Sequence, residues 1–148
     1  MGAKKIIMKI IKNTIQFIIN LLPVTNKVVF ESHPDLAGNT YPLFKMMIDE
    51  KINKRYKLIW FVSNPQKYKD YGIENVYFEE IYPNNFLRKI RGILIKATAR
   101  CIITENRIWN IKSKNQLVLY LTHGTPLKNV QNKIIVGQKC DYVLYQSE

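Results

Sequence analysis

His123-Gly124-Thr125-Pro126-Leu127-Lys128 is the stretch of this 148-residue chain whose residue types most directly suggest chemistry. It follows the apolar run Leu117 to Leu121, which reads as a buried strand. A strand halted by histidine, glycine and proline displays polar groups, and open α/β sheets bind ligands just beyond the carboxyl ends of their strands. An imidazole at such a place can move a proton near neutral pH. A histidine beside Gly-Thr-Pro is also an ordinary turn residue, and the spacing alone leaves both readings open. Gly124 lets backbone approach a ligand closely and Pro126 stiffens the turn. Thr125 either donates a hydrogen bond to a ligand hydroxyl or caps a turn. Lys128 either brings positive charge to a phosphate or is solvated.

Other polar residues follow strand-like runs in the same way. Ser32, His33 and Asp35 come after Val28-Val29-Phe30-Glu31, Asn64 after Leu58 to Val62, and Glu105 and Asn106 after Cys101 to Thr104. Parallel strands would bring all of them to the edge that carries His123, as a polar groove. Glu105 and Asn106 would orient His123, bind ligand hydroxyls or cap a helix. His33 and Asp35 have no identifiable third ligand, so no metal is expected, and no cofactor either. Cys101 and Cys140 lack metal-ligand spacing and are expected to be buried, reduced thiols.

The elements that must position these residues alternate between strand and helix. Val28–Glu31, Leu58–Val62, Val76–Phe78, Cys101–Thr104, Leu117–Leu121 and Tyr142–Tyr145 read as strands. Tyr41–Lys51 and Asn85–Ala99 read as helices, and Tyr68–Tyr71 as a short one. The pattern predicts a Rossmann-like α/β domain over 27–148, a parallel sheet with helices on both faces. In the basic helix, Arg88, Lys89, Arg91, Lys96 and Arg100 are interleaved with Phe86, Leu87, Ile90, Ile93 and Leu94. The apolar residues are expected to pack on the sheet, with the cations solvated or set against an anionic partner.

Residues 1–22 stand apart. Lys5, Lys9, Lys12, Asn13, Gln16 and Asn20 fall on one stripe of a helix whose remaining surface is rich in isoleucine. Lysines within the apolar stretch argue against a membrane span and against the core of a signal peptide. Ile6 stands where a myristoylation signal wants Ser or Thr. A helix lying in the membrane interface fits, with Lys4, Lys5, Lys9 and Lys12 reaching anionic headgroups. An amphipathic helix docked on protein is the alternative. Pro23 ends it, and Thr25-Asn26 make a short link.

Composition narrows the partners. Hydrophobic residues make up 47% of the chain, too many for a disordered segment, and its length suits one domain. A net charge of +12 suits an anionic partner or a solvated basic face. No recognisable RNA- or DNA-binding motif accompanies that charge, so no nucleic acid is expected. No glycine-rich phosphate loop is present.

LVLYLTHGTPLKN, followed by CDYVLYQSE, resembles the CDP-glycerol glycerophosphotransferases, the teichoic acid primases and polymerases of Gram-positive bacteria. Upstream, VVFESHPDLAGNTYPLF, YKLIWFVSN and ATARCIITEN resemble the amino-terminal half of that family, in order. The resemblance covers residues 27–148. Thr122 replaces the family's usual Trp before the histidine, and Ala37-Gly38-Asn39-Thr40 replaces a stretch that usually runs toward Asp-Asn. The resemblance implies the amino-terminal half of a glycosyltransferase-B fold, with His123 as general base toward an acceptor hydroxyl. It implies a CDP-glycerol or CDP-ribitol donor bound only with a second, carboxy-terminal domain, which these 148 residues do not supply. The acceptor implied is a lipid-linked polyol phosphate, used in teichoic acid or related wall or capsule synthesis. The expected location is the cytoplasmic face of the cell membrane, held peripherally on anionic lipid. On this reading the chain is an acceptor-binding half-enzyme, inactive alone. The alternative is a non-catalytic membrane- or polymer-binding accessory module.

Overall fold

The computed structural model describes residues 3–105, 113–121 and 140–144, with side chains for all of these except 3–9, 11 and 12. The described elements are helix α1 (Ala3–Leu21), strand β1 (Thr25–Glu31), helix α2 (Thr40–Asp49), β2 (Lys57–Val62), β3 (Val76–Glu80), helix α3 (Phe86–Ala97), β4 (Ala99–Thr104), β5 (Leu117–Leu121) and β6 (Tyr142–Leu144). The strands form one parallel sheet in the order β3-β2-β1-β4-β5-β6. This is the doubly wound order, with its topological switch between β1 and β4, where the carboxyl ends of the strands open a crevice.

The strands form because their residues are apolar on both sides, as burial on both faces of a parallel sheet demands. Val28, Phe30, Leu58, Trp60, Val62, Ile103 and Leu121 point to one face and meet Phe44 of α2. Val29, Ile59, Phe61, Ala99, Ile102 and Val118 point to the other. On the first face Phe30, Phe44 and Trp60 form a triangle with ring centroids 5.3–5.5 Å apart, two contacts edge-on and one stacked. Such aromatic pairs add about 0.5–1.5 kcal/mol each beyond their burial.

The second face is closed differently. Lys96, at the last turn of α3, is buried with its Nζ 2.7 Å from Glu31 Oε2 and 4.1 Å from the centre of the Phe61 ring. Removing one partner of such a pair leaves a buried charge uncompensated, a loss of about 3–5 kcal/mol. Gln116 donates to the carbonyls of Lys96 and Ala99 at 2.6 and 2.8 Å, closing the backbone where α3 turns into β4.

Several expectations are corrected. Phe86 and Leu87 are each 72% exposed, and Ile90, Ile93 and Leu94 are exposed as well, so the apolar side of α3 does not pack on the sheet. The helix approaches the sheet through Gly92, where an added Cβ would lie 3.4 Å from the Phe61 ring, and through Ile95, Lys96 and Ala97. Thr25 is no linker residue: its N–H and hydroxyl both donate to the Thr98 carbonyl, at 2.8 and 3.0 Å, and it opens β1. The short helix expected at Tyr68–Tyr71 is a 3₁₀ turn at Pro65–Tyr68, because Asn64 caps it one turn earlier. Cys101 and Cys140 are unbridged but only half-buried. Burial, and then the Asp141 carboxylate, push the Cys101 thiol up to about 11.

Candidate functional site

The loops leaving β1, β2 and β4 meet along the carboxyl edge of the sheet, and their polar side chains mostly hold one another. Ser32 is buried; its hydroxyl donates to the Pro34 carbonyl at 2.8 Å and accepts from the Ala37 N–H at 3.3 Å. Asp35 reaches across to the next loop, where Oδ2 accepts from the Ser63 N–H at 2.9 Å and Oδ1 from the Ser63 hydroxyl at 3.1 Å. That carboxylate, after burial, also raises the phenol of Tyr68 above its ordinary value. Asn64 accepts from the Gln66 N–H at 3.1 Å. These residues brace the loops and set their spacing.

Glu105 is the most buried of the expected site residues, at 1% exposure. Its Oε1 accepts from the Thr40 N–H, the first amide of α2, where a negative charge meets the positive end of the helix. Its own N–H donates to the Glu31 carbonyl at 3.3 Å, joining β4 to β1 across the switch point. Gly38 packs on this carboxylate with φ +65, leaving no room for a Cβ. The charge of Glu105, after burial, contributes to raising the phenol of Tyr120 on β5. Glu105 therefore sits between the β1 loop, the start of α2 and the strand that leads to His123. It shapes the edge from inside and has no surface from which to meet a ligand.

His33 is the expected residue that faces outward. Its ring is exposed, with no hydrogen-bond partner among the described residues, beside a cavity of about 470 Å³ that Glu31, Asp35, Ser63 and Tyr82 also line. Ser63 is shared with a neighbouring cavity of about 540 Å³ at the ends of β2 and β3, lined by Asn64, Gln66, Glu79, Glu80, Arg88 and Arg91. Arg91 meets Glu79 at 2.5 Å, and Arg88 meets Glu80 at 3.4 Å. Arg88 and Arg91 were expected to be solvated or set against an anionic partner, whereas Glu31, Glu79 and Glu80 were not expected to line this edge. The one available signal was that Glu31 and the Glu79-Glu80 pair end their strands at this edge.

His123, Gly124, Thr125, Lys128 and Asn106 lie outside the described residues. The described part of β5 ends at Leu121, two residues before His123 on the chain. Among the described residues, no group of three or more His, Cys, Asp or Glu side chains could hold a metal ion. Lys4, Lys5, Lys9 and Lys12 fall within α1, with side chains outside the described set. Among the described residues no helix is long and apolar enough to cross a membrane.

The sequence model of the CDP-glycerol:poly(glycerophosphate) glycerophosphotransferase family matches residues 14–143, from within α1 to within β6. The chain belongs to that family. A teichoic acid poly(glycerol phosphate) polymerase of Bacillus spizizenii is 29% identical over 125 residues, a match covering 78% of this chain and 29% of that relative. Structures of the wall teichoic acid polymerase TagF share the fold. A histidine-to-alanine variant superposes with a TM-score of 0.56 at 22% identity, covering 92% of this chain and 34% of TagF. A histidine-to-asparagine variant soaked with CDPG gives 0.55 at 20%, covering 89% and 35%. The chain thus spans about a third of the length of the relatives it matches.

Proposed function

We propose that this stretch is the acceptor-side half of a CDP-glycerol:polyol-phosphate glycerophosphotransferase that acts in teichoic acid or related polymer synthesis. The observation that carries the reading is the family match running through the HGTPLK segment, on a doubly wound sheet whose carboxyl edge is cavity-lined. His123 takes the proton from the terminal hydroxyl of the acceptor. The acceptor oxygen then bonds to the β-phosphorus of CDP-glycerol as the bond to the CMP oxygen breaks, and CMP leaves. A neutral imidazole suits that step, because a base must be unprotonated at working pH and within about 3 Å of the hydroxyl. Lys128 places positive charge beside the phosphates, Gly124 lets the backbone approach the acceptor closely, and Thr125 donates a hydrogen bond to an acceptor hydroxyl. The donor, CDP-glycerol or CDP-ribitol, is held only with a second domain.

The membrane surface belongs to the same proposal. Phe17, Ile18 and Leu21 of α1 and Phe86, Leu87, Ile90, Ile93 and Leu94 of α3 are exposed, and α3 carries the exposed Lys89 among them, while Arg88 and Arg91 are engaged with Glu80 and Glu79. The Gln16 amide donates to Asn20 Oδ1 at 3.1 Å along the polar stripe of α1. Apolar surface interleaved with cations supports a peripheral place on anionic lipid at the cytoplasmic face. The experiment for the catalytic part is His123→Ala, with this stretch joined to a donor-binding domain. Turnover is expected to fall about a hundredfold or more with donor affinity kept. A fall of only a few-fold would return His123 to the role of a turn residue.

A further inference from the structure

The chain carries a net charge of +12, yet the cavities at its carboxyl edge do not share that charge. In the cavity at the ends of β2 and β3, Arg88 and Arg91 are each held by a carboxylate, Glu80 and Glu79, which line the same space. The neighbouring cavity is lined by Glu31, Asp35 and the His33 ring, and the cation behind Glu31, Lys96, is buried and engaged with it. Among the described residues, every cation at these two cavities is balanced by a carboxylate, and Asp35 adds a further negative charge. A phosphate entering here would displace a guanidinium from its partner or face Asp35 directly. A hydroxyl would not: it can donate to carboxylates and to the amide oxygens of Asn64 and Gln66, and accept from the guanidinium edges.

Position points the same way. The ends of β1, β2 and β3 lie two to four strand spacings from β5 across the sheet, about 10–19 Å. A ligand whose reacting hydroxyl meets the loop after β5 would reach them only with a part well removed from that hydroxyl. The cations of the 122–139 sequence, Lys128, Lys133 and Lys139, come after β5 on the chain, where phosphate chemistry is expected.

We infer that the two cavities at the ends of β1, β2 and β3 form a subsite for a neutral, hydroxyl-rich group, a sugar or polyol, in a part of the acceptor remote from the reacting end. This rests on the acceptor-side reading above. The charge balance set by Glu79 and Glu80 is what selects against phosphate there.

The test is a backbone-amide NMR titration of the whole chain with cellobiose and N,N′-diacetylchitobiose as neutral probes, and glycerol 3-phosphate and inorganic phosphate as anionic ones. The expected result is saturable shifts at Ser63, Asn64, Gln66, Glu79 and Glu80 with a neutral probe and none there with the anions. In Glu79→Gln/Glu80→Gln, neutral-probe affinity should fall at least threefold, and glycerol 3-phosphate should begin to bind at the released Arg88 and Arg91. Shifts at these amides from the anions alone, or from no probe, would overturn the subsite. Competition by a lipid-linked polyol-phosphate acceptor separates the two levels of the argument. If the neutral probe binds and no acceptor displaces it, the subsite stands and the acceptor reading fails. If the acceptor binds while these amides stay still, the acceptor reading stands and the subsite fails.

Discussion

Helices α2 and α3 are both amphipathic, and they use that property in opposite ways. On α2, Phe44 is fully buried against Phe30 and Trp60, and the helix starts on the buried Glu105 carboxylate. On α3, the large apolar residues from Phe86 to Leu94 are exposed, and the helix is attached by a glycine, a buried ion pair and the small side chain of Ala97. Phe61, broad and flat beneath Gly92 and Lys96, lets α3 approach with Ile95 and Ala97 turned inward and its larger amino-terminal apolar side chains left outside. The contrast teaches that an apolar stripe at helical spacing says that a helix has a wet side and a dry side. It does not say that the dry side belongs to the domain's own core.

That contrast can be broken by substitution. The largest effect is expected for Phe44→Ala, which empties the centre of the aromatic triangle and should cost about 3–5 kcal/mol in urea unfolding. A loss below 1 kcal/mol would mean that α2 does not organise its face of the sheet. Gly38→Ala should cost about 1–3 kcal/mol, because alanine would have to hold a left-handed backbone while its methyl displaces Glu105 from the start of α2. Unchanged stability would show that the contact between Glu105 and α2 is dispensable. Phe86→Ser with Leu87→Ser should change stability by no more than about 0.5 kcal/mol, as exposed sites do. The same pair should markedly weaken flotation with vesicles containing anionic phosphatidylglycerol. A clear loss of stability would place these residues in a core, and flotation equal to the parent chain's would remove α3 from the membrane surface.

The sheet was legible in the chain because its strands are short runs of branched and aromatic residues closed by polar turns. Leu117–Leu121 matches the expected bounds, Val28–Glu31 agrees to within three residues, and Tyr142–Tyr145 agrees at its start, Tyr145 lying outside the described residues. The edge was legible only as an edge. Ser32, Asp35, Asn64 and Glu105 read from the sequence as a groove displayed to a ligand; in the structure each also bonds neighbouring backbone or side chains, and Ser32, Asp35 and Asn64 line the two cavities while Glu105 is buried. Residue type and strand position place a polar group at a strand end. Whether it looks outward, as His33 does, or inward, as Glu105 does, depends on loop contacts across the sheet that no local pattern encodes. The partners of Glu79 and Glu80 lie twelve and eight residues farther along, on a helix whose orientation is set by Phe61 and Glu31.

The acceptor-side reading is tested most directly by calorimetry on the full 148-residue chain, titrated separately with CDP-glycerol and with a lipid-linked glycerol-phosphate acceptor. The account predicts saturable acceptor binding and no measurable binding of CDP-glycerol. Binding of CDP-glycerol by this chain, with no binding of the acceptor, would contradict it.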